Sequence, residues 1–146
     1  MDFIRDGFTI STEKEKLDID VIHSFLSRTY WAEGISKEII RRSIEGSLCF
    51  GVFENDKQVG FARMITDNAT FAYLADVFII EEYRGRGLSK WLMEIMMSHP
   101  DLQGLRRMVL ATRDAHELYK KFGFTLLNNV DRWMHIHHPD IYKAIK

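Results

Sequence analysis

Two arginines and two glycines alternate at Arg84-Gly85-Arg86-Gly87, between the apolar run "VFII" and the helically patterned "LSKWLMEIMM". Where a strand ends and a helix begins, the first-turn N–H groups have no intrahelical partner, and the helix dipole adds partial positive charge at the same end. Glycine at 85 and 87 removes the Cβ atoms that would hold an anion away from those amides. Arg84 and Arg86 can add charge-assisted hydrogen bonds of ~1.5–3 kcal/mol each. The guest that suits such a turn is a pyrophosphate, although the same residues also form an ordinary tight turn with two solvated arginines. Other phosphate loops fit worse. A Walker loop ends Gly-Lys-Ser/Thr, and the dinucleotide fingerprint wants its third glycine where Lys90 stands, after a strand from a parallel sheet.

Other reactive side chains are few. Cys49 is the only cysteine, which excludes an internal disulfide and a thiolate metal cluster; within "SLCFGVF" it reads as a small buried hydrophobe. His135 and His137 alternate onto one face of "HIHH", but no third ligand stands at a useful spacing, so no metal is expected. Tyr119 shares a helical face with Leu118 and Phe122, which by itself describes a core aromatic with a satisfied hydroxyl. Tyr30, Trp31 and Glu33 lie in an aromatic linker, "RTYWAEGIS", as a cation-friendly wall or as a staple between helices.

The elements that must hold these residues follow from periodicity. "FTIST" reads as a short N-terminal strand. "DIDVIHSFLSRTYW" sets Val21, Ile22, Phe25 and Leu26 on one helical face, and a second helix runs from the N-cap Ser36 through Ile39, Ile40 and Ile44 to a left-handed stop at Gly46. The period then drops to two: "SLCFGVF" and "QVGFARMI" flank the turn "ENDK", and "TDNA" leads into "TFAYLADVFII", an antiparallel meander. The last of these strands is apolar on both faces, as a strand covered on both sides should be, with Asp76 the exception and pointing away from the Ala75 face. Leu88, Trp91, Leu92, Ile95 and Met96 define a third helix, with Lys90 and Glu94 outward. "RMVLAT" supplies another strand, "DAHELYKKFGF" a short helix ending at Gly123, and the tail from Phe124 one or two further strands, among which "DRWMHI" alternates like an edge able to pair across a dimer.

Composition bounds the class. The chain has 146 residues, 46% apolar and 28% charged, enough for one globular domain across 1–146. No apolar run reaches the roughly 18 residues of a spanning helix, and the N-terminal "MDFIRDGFTI" lacks the basic start of a signal peptide, so a cytosolic protein off the membrane is expected. A net charge of −1 and only short basic pairs give no footprint for nucleic acid.

"EEYRGRGLS", followed about 30 residues later by "ATRDAHELYKKFGF", resembles the GNAT superfamily of N-acetyltransferases, whose pyrophosphate loop is R/Q-x-x-G-x-G/A. Here that loop is Arg84, Gly85, Arg86, Gly87, Leu88 and Ser89, with serine at a position the family gives to Gly or Ala. The resemblance implies an α/β (α+β) fold: a mixed, mainly antiparallel sheet of six to seven strands flanked by about four helices, in the order β-α-α-β-β-β-α-β-α-β(-β). It implies acetyl-CoA as co-substrate, no metal, and transfer of acetyl to a primary amine by direct attack. Val77, Phe78 and Ile79 would lend main-chain groups to pantetheine, one of their N–H groups would polarise the thioester, and Thr112 replaces an asparagine that often contacts the pantetheine arm. Tyr119, in the intact pattern Ala115, Leu118, Tyr119, Gly123 and Phe124, corresponds to the general acid. Tyr30, Trp31 and Glu33 fall where the family builds its acceptor site. Ala75 stands where some relatives carry a glutamate base, so the base stays open among Glu33, Tyr73 and water. The acceptor is a small-molecule or peptide amine and the protein a monomer or homodimer; a non-catalytic acyl-CoA-binding or regulatory module is the alternative.

Overall fold

Six strands form one sheet in sequence order, in a computed structural model that describes residues 1–143. β1 (Asp2–Arg5) and β2 (Phe8–Ser11) make a hairpin; β3 (Leu48–Glu54), β4 (Lys57–Thr66) and β5 (Phe71–Ile79) continue it as a meander, and β6 (Arg107–Val109) closes the row. Every neighbouring pair is antiparallel except β5 and β6, which run parallel. Parallel neighbours need a crossover, supplied by the helix α3 (Leu88–Ser98).

The other helices are α1 (Ile19–Leu26), α2 (Lys37–Glu45) and α4 (His116–Lys120). Asp18 caps α1 by accepting from the amides of Asp20 and Val21, and Ser36 caps α2 by accepting from Ile39, each satisfying first-turn donors. α1 and α2 bury Ile22, Leu26, Ile40 and Ile44 with Cys49, Phe61 and Phe78 on one face of the sheet. α3 buries Leu88, Trp91, Leu92, Met93 and Met96 against Phe50, Met64, Ala72 and Leu74 on the other. Among the described residues no helix is long and apolar enough to cross a membrane.

Four expectations change. The N-terminal strand has a partner, because Asp6 and Gly7 both take positive φ (54° and 83°) and turn the chain back as a two-residue hairpin loop. The helix α2 ends at Gly46 with φ −94°, so that glycine is not left-handed. Phe71 and Tyr73 are each 36% exposed, so the first half of β5 is covered on one face only. The tail forms no strand from 124 to 143: it holds one 3-10 turn, Val130–Arg132, and Met134 and Ile136 are 95% and 90% exposed. Trp133 leans on the Arg107 guanidinium at 4.6 Å, and alternation alone, without a ladder to join, leaves Met134 and Ile136 outward.

Candidate active site

The ladder between β5 and β6 is three residues long. Phe71, Ala72 and Tyr73 pair with Arg107, Met108 and Val109, and there the pairing stops. Beyond Tyr73 one edge of β5 stays bonded to β4, while the edge toward 110–112 has no strand partner among the described residues. Two parallel strands that part in this way leave open N–H and C=O groups, which is where an amide-bearing chain can add itself.

Asp76 marks the separation. Its φ is 56°, and the β4–β5 register shifts between Phe61 and Arg63, which together describe a β-bulge. The bulge cancels the simple alternation expected at this point. Arg63 sits opposite Ala75, and Asp76 turns to the same side to meet it, Arg63 Nε to Asp76 Oδ2 at 2.6 Å, with 16% and 10% of the two side chains exposed. The second carboxylate oxygen accepts from Trp31 Nε1 at 2.9 Å. Both oxygens are thus engaged, so Asp76 serves as the anchor of a polar network.

At the far end of β5, Ile80–Gly87 turns the chain into α3. Gly85 and Gly87 have φ 81° and 76°, a left-handed backbone that glycine adopts at no steric cost. A Cβ built on either would meet no protein atom within 4 Å; it would project into open space over the turn. The helix α3 starts at Gly87 without a side-chain cap, and its first bond runs from the Trp91 N–H to the Gly87 carbonyl, so the amides of Leu88, Ser89 and Lys90 precede the helical ladder. Arg84 donates from Nε to the Ile79 carbonyl at 3.0 Å, and the Arg86 guanidinium rests 4.9 Å from the Tyr83 ring centroid. The Tyr83 hydroxyl in turn donates to Glu54 at 2.7 Å, a bond that raises its pKa. No acidic side chain pairs with Arg84 or Arg86 among the described residues. Two held guanidiniums, bare amides and a helix N-terminus form a cradle whose chemistry fits a diphosphate.

Tyr119 lies on α4, whose start is set by Thr112 accepting from the Ala115 N–H at 3.0 Å. Gly123, at φ 94°, ends the turn, and the Phe124 N–H returns to the Tyr119 carbonyl. The Tyr119 side chain is 9% exposed and meets Phe124 edge-on at 5.9 Å. Burial pushes its phenol pKa up. Its hydroxyl has no protein hydrogen bond among the described residues, unlike a tyrosine whose polar end is satisfied within a core. Tyr119 and Thr112 share a cavity of about 490 Å³ with Leu110, His116 and Phe124. Arg84 lines a separate groove of about 570 Å³ between Ile80–Glu82 and Phe25 of α1. No β5 residue up to Ile79 lines either one, so no single enclosed pocket holds both the loop and Tyr119.

Val77 is half-buried, while Phe78 and Ile79 are buried, with Phe78 stacked on Phe25 at 4.1 Å. The side chains of Phe78 and Ile79 are core and that of Val77 packs against it, while the strand's edge away from β4 has no strand partner here among the described residues. The loop 27–36 reaches over from α1: the Gly34 amide bonds to the Ser27 carbonyl, Tyr30 meets Trp31 edge-on at 5.1 Å, and Glu33 pairs with Lys143 at 2.7 Å. Glu33 is therefore engaged with the tail. Sequence reasoning missed Arg63 and Arg113. Arg63 carried a signal, a lone charge inside a period-two apolar run; Arg113, whose guanidinium lies 3.6 Å from the Tyr30 ring centroid, carried none. His135 and His137 have ring centroids 5.7 Å apart, and no group of three or more His, Cys, Asp or Glu that could hold a metal occurs among the described residues.

The sequence and the fold are similar to those of known proteins. The profile described as "Acetyltransferase (GNAT) family" matches residues 15–124. A curated relative from Gibberella zeae, named "Putative acetyltransferase FG08082", is 33% identical over 140 residues, covering 80% of this chain and 78% of its own. A crystal structure of a GNAT-family protein from Xanthomonas campestris pv. campestris superposes with a TM-score of 0.92 at 51% identity, covering 94% of this chain and 97% of that one. A predicted acetyltransferase from Clostridium acetobutylicum, solved with acetyl-CoA, shares the fold at 15% identity and a TM-score of 0.66, covering 89% and 96%.

Proposed function

The chain belongs to the acetyltransferase (GNAT) family, and from that premise we propose that it moves an acetyl group from acetyl-CoA to a primary amine by direct attack. The observation that carries this reading is the course of β5, which leaves β6 after Tyr73 and, bonded from there only to β4, runs with its other edge open toward the glycine-arginine turn at the start of α3. A pantetheine arm can lie along that edge, bonded to the main chain of Val77, Phe78 and Ile79, and extended past Thr112. The diphosphate then falls on Arg84, Gly85, Arg86, Gly87, Leu88 and Ser89. Ser89 adds a hydroxyl donor where the family has Gly or Ala, and Thr112 still has its hydroxyl proton to donate after accepting from Ala115.

The neutral amine attacks the thioester carbonyl, a new C–N bond forms, and the C–S bond breaks. A main-chain N–H at Val77 or its neighbour steadies the oxygen while the carbon is tetrahedral. The amine sheds a proton to water, and the departing sulfur takes one from the Tyr119 hydroxyl, which burial keeps protonated at neutral pH. Tyr30, Trp31 and Glu33 border the acceptor side. Residues 1–146 act in this reading as one cytosolic domain, monomer or homodimer, on a small-molecule or peptide amine.

Release of free thiol during incubation with acetyl-CoA and an amine panel tests the proposal. Wild-type protein releases thiol with at least one amine, and Tyr119→Phe slows it by about 10²-fold. Equal rates in the mutant remove Tyr119 from its role. Coenzyme A binding with no thiol release from any amine would favour a non-catalytic acyl-CoA-binding module, a reading that Ala75, in place of a strand glutamate, allows.

A further inference from the structure

We infer that the acceptor carries a carboxylate beside its amine and that Arg113 receives it, an inference that rests on the acetyl-transfer reading. Arg113 follows directly on 110–112, the segment that diverges from β5, and therefore stands at the mouth of the separation. A chain of side-chain contacts spans that mouth: Asp76 to Trp31 at 2.9 Å, Trp31 to Tyr30 at 5.1 Å, and Tyr30 to Arg113 at 3.6 Å. An amine approaching the thioester from the side of loop 27–36 passes this belt.

The charges along the belt are unequal. Asp76 has both oxygens taken by Arg63 and Trp31, and Glu33 is paired with Lys143. Arg113 pairs with no carboxylate among the described residues, and neighbouring Asp114 makes no ion pair with it. At 3.6 Å the guanidinium carbon lies over the Tyr30 ring, and its N–H groups make no hydrogen bond among the described residues. That geometry suits two parallel hydrogen bonds to a carboxylate, which an ammonium in the same place could not reproduce. Tyr30 and Trp31 are 53% and 41% exposed, so the belt also offers an apolar wall to the acceptor's carbon skeleton.

Matched pairs of α-amino acids and their carboxamides test this by thiol release at saturating acetyl-CoA, with wild type, Arg113→Lys and Arg113→Gln. The carboxamide's amine is less basic and more often neutral, so intrinsic reactivity opposes the expected result. Wild type should favour the acid over its amide by at least tenfold in kcat/KM, Arg113→Gln should bring the ratio toward one, and Arg113→Lys should fall between. Amides that react as well as acids, or a ratio unchanged in Arg113→Gln, overturn the inference. If neither kind releases thiol, N-acetyl amino acids and N-acetyl amino acid amides are titrated into coenzyme A-saturated protein by thermal unfolding. Stabilisation by the acids alone, lost in Arg113→Gln, keeps the inference and retires the catalytic reading; stabilisation by both or by neither overturns it.

Discussion

The Trp31 indole N–H donates to Asp76 Oδ1 at 2.9 Å, and through that bond the loop between α1 and α2 is fastened to the one left-handed residue of β5. Arg63 holds the other oxygen at 2.6 Å from the neighbouring strand. The bulge, the loop and β4 therefore share one carboxylate, placed where β5 has already left β6.

Replacing that carboxylate separates two contributions. Asp76→Ala leaves a largely buried guanidinium without its partner and keeps a side chain at φ 56° that lacks aspartate's tolerance of that region, and should cost about 3–5 kcal/mol in urea unfolding. Asp76→Gly loses the same ion pair but relaxes the backbone, and should be about 1 kcal/mol less destabilised than the alanine variant. Equal stability of the two would remove the backbone contribution, and a loss under about 0.5 kcal/mol in both would remove the ion pair, since that is the scale of an ordinary surface change.

Gly87→Ala should affect ligand more than fold. The new Cβ meets no protein atom within 4 Å, so unfolding free energy should fall only by the left-handed strain of about 1–2 kcal/mol. If the diphosphate rests on this turn, the added methyl intrudes on it, and affinity for coenzyme A should drop at least tenfold. Affinity within twofold of wild type, measured by calorimetric titration, would place the diphosphate elsewhere.

Burial pushes the Cys49 thiol pKa up, and the side chain is 1% exposed. A disulfide reagent should label the native protein far more slowly than the urea-unfolded one at pH 8. Fast native labelling would show that β3 and α2 open readily, and would also contribute thiol to any assay that counts released coenzyme A.

Tyr119 gives a pH signature with a defined sign. Its folded pKa is raised by burial, whereas the unfolded phenol ionises near ~10. Below that value both states hold the proton and stability from this group is constant; above it the unfolded state alone loses the proton, so stability falls as pH rises through the folded pKa. Tyr119→Phe should remove that fall in denaturant midpoints measured from pH 9 to 11. An identical fall in the mutant would assign it to other groups.

Much of this layout is legible in the sequence, for physical reasons that differ by element. Ser36, the Ile40 and Ile44 spacing and the Leu88 to Met96 face report helices because capping and periodicity are local. The loop at Arg84 to Ser89 is legible because only glycine serves its backbone. The Asp6-Gly7 hairpin has a local signal in its Asp-Gly pair, the residues a two-residue loop with positive φ favours. The bulge at Asp76 is a property of pairing with β4, so alternation along one strand misplaces its side chain. The tail shows the reverse failure: "DRWMHI" alternates, but a strand needs a ladder, and Trp133 settles on Arg107 instead. Arg113 reaches Tyr30 only through tertiary structure, more than 80 residues away in sequence.

Thermal unfolding titrated with coenzyme A, and in parallel with pantetheine, tests the central claim most directly. If the turn at 84–89 holds the diphosphate, coenzyme A at 100 times its dissociation constant adds about 2.7 kcal/mol of stability, while pantetheine at the same concentration adds far less. No shift with millimolar coenzyme A, or an equal shift with pantetheine, would contradict the account.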